Sequence, residues 1–217
     1  MTGSEVLERG RPVDLDDLRR RADWVRLRTI QLIDAAGLGH YSSTFSCAEI
    51  LAVLYYHTLR LRPEEPAWPD RDRFLLGKGH VAVGLWPILA DLGCFPAEWL
   101  DRFGRPGTPL NDHPNMRTAP GIDFSTGSLG HNLSVGGGMG LAARLQDRDY
   151  RTFVLTGDGS SSRTSSSAAT SWPSTSAVIQ PNASNRAAMG STFMACDVGP
   201  PPENPLASTI AITLPRR

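Results

Sequence analysis

The small and apolar positions Leu18, Ala22, Val25, Thr29, Leu32 and Ala36 recur at alternating spacings of three and four residues. This is the period of one helix face, so the pattern predicts an amphipathic helix, with Asp14 as its cap and Gly37 as its stop. The stretch "GLGHYSSTF" then reads as a loop. "SCAE" reads as a capping box, with Ser46 as N-cap and Glu49 reaching back. The helix after it, "AEILAVLYYHTL", is apolar on most faces and therefore expected to be buried. "RLRPEEPAWPDRD" reads as a proline-rich surface connection.

Further on, "RFLL" predicts a short strand running into "GKGH" and a helix over "VAVGLWPILADLG". Pro96 opens another short helix that ends near Phe103. "GRPGTPLNDHPNMRTAPGIDFSTGSLGH" is a long loop rich in turn residues, and ordered loops of such length usually carry function. "NLSVGGGMGLAARLQ" predicts a helix despite glycines at 136, 137, 138 and 140. Glycine costs about 1 kcal/mol in a helix interior, so the cluster implies close approach to another backbone or to a ligand. "RTFVL" is a strand and "TGDG" its exit turn. Helices and strands thus alternate, and the strands end in glycine turns. That order predicts an α/β fold with a parallel sheet, in which ligands sit at the carboxyl ends of the strands, where "GKGH" and "TGDG" lie.

Composition changes this picture little. The chain has 217 residues, 40% hydrophobic and 20% charged, enough for one domain with a core and a tail. Its formal net charge is zero, so charge gives no reason to expect nucleic acid or an anionic membrane as partner. No run is apolar enough for a bilayer span, and the mixed-charge beginning is unlike a signal peptide. Cys47, Cys94 and Cys196 lie far apart without metal spacing, which fits free thiols in a cytoplasmic protein. Lys78 is the only lysine among many arginines, a bias expected of a GC-rich gene.

Each motif is weak alone, but their ordered series is specific: "GLGH", "SxAEIL", "DRFLLGKGH", "HPN", "PGIDFSTGSLG" and "VLTGDG". This series resembles the N-terminal, diphosphate-binding half of transketolase, over about residues 18–159. It is particularly similar to the short N-terminal subunits found where transketolase is split into two chains. The resemblance implies a thiamine-diphosphate-binding fold with a parallel sheet, truncated or disordered after about residue 159. It also implies thiamine diphosphate, whose thiazolium ylide carries the carbon chemistry, and a divalent metal, Mg²⁺ or Ca²⁺. The activity implied is transfer of a two-carbon ketol unit from a ketose donor to an aldehyde or other acceptor.

The site residues carried over by the resemblance follow its motifs. Asp158 matches the family's metal-ligand aspartate, an oxygen donor of the kind Mg²⁺ prefers, and Gly157 and Gly159 let the backbone approach the phosphates. His80 matches the histidine near the diphosphate and thiazolium. His40 and His113 match those that hydrogen-bond substrate oxygens and assist proton transfer, a role suited to an imidazole. Gly127, Ser128 and Leu129 match positions contacting the aminopyrimidine. His57, on an apolar helix, reads instead as a core residue, and Lys78 as either a screen for phosphate charge or a surface residue. The pattern also departs from the family. His131 stands where "GxLGQG" has glutamine, and "GHYSSTFS" lacks the glycine usual after the first histidine. The family's activating glutamate lies on a pyrimidine-binding domain that nothing in this chain matches. The resemblance therefore implies a C-terminal transketolase-like partner subunit. The alternative is an inactive, truncated pseudo-subunit that acts only as an interaction partner.

After Gly159 the pattern stops. From Ser160 to Ser176 nine of seventeen residues are serine, and from 160 onward Asp197 and Glu203 are the only acidic residues. Two domains are therefore expected, a cofactor-binding domain over 1–159 and a low-complexity tail over 160–217, disordered or frameshifted. Trp172 has a single codon; reading "TSWPSTS" one base earlier gives apolar residues followed by a polar turn residue. The other reading is a genuine linker, and the gene sequence discriminates the two. Asn182 and Asn185 stand where a second metal ligand would fall, though no strand pattern leads into them.

Overall fold

The computed structural model describes residues 6–157 and, as backbone, two later strands, Ser176–Ile179 and Thr209–Leu214. These residues divide into two compact units. One holds the chain up to Asp72 and Lys78–Gly127; the other holds Arg73–Gly77 and the chain from Ser128 onward.

The first unit is helical. Helix α1 runs Leu15–Ala36 and buries Leu18, Ala22, Val25, Thr29, Leu32 and Ile33, so the predicted stripe holds except at its end, where Ile33 replaces Ala36. Gly37 ends the helix at φ 65°, its N–H donating to the Ile33 carbonyl. Asp14 occupies the N-cap position without a side-chain bond. The expected loop after Gly39 contains a short helix, α2, Tyr41–Phe45. That helix removes the predicted capping box. Ser46 closes α2, its hydroxyl donating to the Ser43 carbonyl at 2.8 Å. The next helix, α3 (Ala48–Val53), starts after Cys47 and continues as a π-helical turn, Leu54–Thr58. Glu49 pairs with Arg26 of α1 instead of reaching back.

Helix α4 (Ala82–Asp91) is buried from Ala82 to Leu89 and contains Pro87. An interior proline costs about 3 kcal/mol, while full burial of Leu85, Ile88 and Leu89 contributes roughly 2 kcal/mol each. Burial wins, and the helix persists. α4 and α3 both pack on α1. The segment predicted as a surface connection is anchored at its end by two ion pairs. Arg71 forks onto Asp123 at 3.0 and 2.7 Å, and Arg9 meets the fully buried Asp72 carboxylate at 2.7 Å.

The second unit contains the sheet. Strands β1 (Arg73–Leu76), β2 (Thr152–Gly157), β3 (Ser176–Ile179) and β4 (Thr209–Leu214) are all parallel, in the order β1-β2-β4-β3. β1 and β2 are nearly continuous apolar runs because both their faces are covered. Helix α5 (His131–Leu145) packs on β2. A Cβ on Gly136 would collide with the Val154 side chain, so one glycine of the predicted cluster is there for close helix–strand contact. β3 and β4 lie in the segment expected to lack a core, and β3 ends at Ile179, shortly before Asn182, where the sequence pattern shows no strand. The remaining expectations for 160–217, including Asn182, Asn185 and Cys196, lie outside the described residues.

The Arg71–Asp123 pair supplies a stability test. Both side chains are more than nine-tenths buried, and removing one partner of such a pair costs about 3–5 kcal/mol. Asp123→Ala is expected to lower the urea unfolding free energy by that amount. An exposed control, Asp16→Ala, is expected to change it by less than about 1 kcal/mol.

Candidate functional site

In the first unit three motif histidines converge. Gly39, at φ 128°, turns the chain into His40, and a Cβ there would lie 2.7 Å from the Ile33 side chain. His40 then opens α2, its carbonyl accepting from the Thr44 hydroxyl at 2.7 Å. His80 sits in a 3₁₀ turn, Gly79–Val81. The His40 and His80 rings meet edge to face, with centroids 5.2 Å apart. His113 comes from the long loop, which is folded on itself: Thr126 N–H donates to the Pro114 carbonyl at 3.2 Å and Met116 N–H to the Ser125 hydroxyl at 3.0 Å.

The contact that joins these segments is at Gly79. A Cβ at this position would lie 2.8 Å from Thr126 Oγ1, 2.9 Å from Gly127 N and 2.9 Å from His113 Cδ2. Gly127, at φ 154°, presents a second bare backbone: a Cβ there would lie 3.2 Å from the same ring carbon. The two glycines of "GKGH" thus have separate reasons. Gly77 belongs to the sheet unit, where a Cβ would meet the Leu155 carbonyl at 2.6 Å.

The charges in this cluster come from Lys78 and Asp112. Lys78 Nζ donates to the Ser43 carbonyl and the Ser46 hydroxyl, each at 3.3 Å, so it is tied to α2 rather than loose on the surface. Asp112 Oδ2 lies 3.3 Å from His113 Nδ1 and 3.9 Å from His40 Nε2. Sequence reasoning missed Asp112, although it adjoins His113, because its contact with His40 is set only by folding. Burial, then the nearby Lys78, His40 and His113, hold the His80 pKa below its ordinary value; Asp112 opposes them. Two oxygens here, Asp112 Oδ1 and Thr126 Oγ1, are buried without a hydrogen-bond partner among the described residues. Such groups are costly unless a ligand or water satisfies them.

The other expected site residues belong to the sheet unit or fall outside the described residues. Ser128, Leu129 and Gly157 belong to the sheet unit: the first two precede α5, and Gly157 ends β2. Asp158 and Gly159 lie outside the described residues. His131 is exposed at the start of α5, and His57 is half-buried, its Nδ1 2.5 Å from the Arg11 carbonyl, as expected of a structural histidine. Among the described residues no group of three or more His, Cys, Asp or Glu side chains is placed to hold a metal ion. Burial pushes the Cys47 thiol up to about 12 and the Cys94 thiol up to about 11, which keeps both protonated. No described helix is long and apolar enough to cross a membrane.

Comparison with known proteins follows the same outline. The transketolase, thiamine diphosphate binding domain family matches residues 18–177, a range that continues past Gly159 into the serine tract. The chain is 41% identical over 145 residues to a 6-deoxy-6-sulfo-D-fructose transketolase subunit of Clostridium sp., covering 67% of this chain and 53% of that protein. It is 37% identical over 147 residues to an apulose-4-phosphate transketolase subunit from Phocaeicola vulgatus, covering 68% and 52%. It thus spans about half the length of these curated relatives. Among solved structures, transketolase from Campylobacter jejuni superposes with a TM-score of 0.65 at 28% identity, over 69% of this chain and 25% of that one.

The depressed His80 pKa gives a signed test. In the folded chain His80 releases its proton below the ordinary 6.5. The neutral ring therefore contributes stability that is present above 6.5 and lost as pH falls through the lowered midpoint. Urea midpoints measured across this window are expected to fall less with acidification in His80→Gln than in the parent chain. Lys78→Met is expected to move the His80 NMR titration midpoint upward.

Proposed function

Because the chain belongs to the transketolase thiamine-diphosphate-binding domain family, we propose that it is the N-terminal subunit of a two-chain, thiamine-diphosphate-dependent transketolase. The observation that carries this reading is the convergence of three distant motifs: the His40 and His80 rings meet edge to face, and His113 lies beside the bare backbone of Gly79, the residue before His80, and of Gly127. The described residues fit such a cofactor. Side-chain-free backbone allows close approach of a polar ligand, and the Thr126 and Asp112 oxygens are buried without partners among those residues. They do not by themselves supply its metal; Mg²⁺ or Ca²⁺ would rest on Asp158, with Gly157 and Gly159 beside it, as in the family motif.

The cofactor supplies, when bound, a carbanion that accepts and releases the two-carbon ketol unit. This chain's part is to bind and orient. His80 lies with a lowered pKa, so near neutral pH it would present an uncharged ring to the cofactor. His40 and His113 are more exposed, at 54% and 45% of the side chain, and reach outward to hold substrate oxygens and move their protons. Gly127, Ser128 and Leu129 would offer backbone to the aminopyrimidine, as in the family motif. The ketose donor and the acceptor are small molecules. The relatives named as transketolase subunits support a separate partner chain, which would bring the pyrimidine-binding domain and complete the active site. The family range reaching residue 177 and the strands β3 and β4 favour a chain that continues its fold beyond Gly159.

Isothermal titration with thiamine diphosphate and Mg²⁺ tests this, with the chain alone and with its partner chain present. Saturable binding is expected in the paired sample, weakened about tenfold or more by Asp158→Asn. Absence of binding in both samples would overturn the catalytic reading and leave a subunit that only docks.

A further inference from the structure

The relation between Asp112 and the two histidines beside it goes beyond the motif roles. Oδ2 of Asp112 lies 3.3 Å from His113 Nδ1 but 3.9 Å from His40 Nε2, and only the first approaches direct hydrogen-bond range. An ionised carboxylate can only accept, so a ring nitrogen that bonds to it carries the hydrogen. The Asp112 side chain is 19% exposed against 45% for His113, and its other oxygen, Oδ1, is buried with no donor among the described residues. None of those residues therefore pulls Oδ1 away from the ring. The opposite edge of the His113 ring is also fixed: Cδ2 lies against the glycine backbones of Gly79 and Gly127. One edge of the ring is thus packed, and Nδ1 is the ring nitrogen that faces the carboxylate at 3.3 Å.

We infer that Asp112 is a positioning residue that fixes His113 as the Nδ1–H tautomer and leaves Nε2 as the atom offered to substrate. The functional half of this rests on the transketolase reading; the tautomer does not. A neutral imidazole with its hydrogen on Nδ1 has its lone pair on Nε2. A substrate hydroxyl that bonds to Nε2 can pass its proton there. The resulting imidazolium keeps its Nδ1–H on Asp112, whose negative charge offsets the positive charge gained, and the proton returns from Nε2 to the departing oxygen. Asp112 itself neither gains nor loses a proton. His40 receives no such constraint from Asp112, since 3.9 Å is too far for a direct bond. Of the two exposed histidines, His113 is thus the one with a preset acceptor.

Long-range ¹H–¹⁵N spectra of the full chain, labelled with ¹⁵N-histidine and recorded above the histidine titration range, read this directly. His57, whose Nδ1 faces the Arg11 carbonyl at 2.5 Å, is an internal reference for the Nδ1–H pattern. His113, assigned from the signal lost in His113→Gln, is expected to show that same pattern. In Asp112→Ala it is expected to change to the Nε2–H pattern that free imidazole side chains prefer, with His57 unchanged. An Nε2–H pattern for His113 in the parent chain would overturn the inference, without needing any variant to fold. An unchanged Nδ1–H pattern in Asp112→Ala would overturn it too. The spectra need neither cofactor nor partner chain, so they stand whether or not ketol transfer is found.

Discussion

A missing Cβ holds the candidate site together. At Gly79 any side chain would press into Thr126 Oγ1, the Gly127 amide and the His113 ring at 2.8–2.9 Å. One of these three neighbours, the Gly127 amide, is backbone and cannot simply swing away. From this one close approach follow the position of the 112–127 loop, the seat of the His113 ring and the exposure of two bare stretches of backbone. His80 is the next residue, so the turn that requires glycine also delivers an imidazole.

Electrostatics and packing then act on the same few groups. Lys78 reaches the Ser43 carbonyl and the Ser46 hydroxyl and helps keep His80 uncharged, while Asp112 sits between His113 and His40. The arrangement is not optimised for stability. A buried oxygen without a partner costs about 1–3 kcal/mol, and Asp112 Oδ1 and Thr126 Oγ1 both lie in this cluster. The ion pairs Arg71–Asp123 and Arg9–Asp72 stabilise the same unit. Fully paired charges for structure beside unpaired oxygens at the cluster are what a ligand-binding surface requires: the unmet hydrogen bonds are available to whatever binds.

Much of this was legible in the chain. The α1 stripe, Gly37 as its stop, the strands at "RFLL" and "RTFVL" and a glycine-rich α5 followed from period and turn chemistry alone. Local signals failed where a neighbouring element competed. The "SCAE" box was lost because α2 takes Ser46 for its own end and Arg26 takes Glu49. Contacts between distant positions had no sequence signal at all. Arg71 with Asp123 and Asp112 with His40 exist only after folding. β3 and β4 are short β-branched runs, SAVI and TIAITL, that follow the serine tract, and the bulk composition of 160–217 outweighed their local pattern. Asp158, the residue the "TGDG" turn singled out most clearly, lies outside the described residues.

The central claim is that His40, His80 and His113 line one binding site. It is tested most directly by following their ring resonances in the histidine-labelled chain, mixed with its unlabelled partner chain, as thiamine diphosphate and Mg²⁺ are added. All three are expected to shift with a single dissociation constant while His57 stays still. Shifts confined to His57, or three histidines responding with unrelated affinities, would contradict a common site.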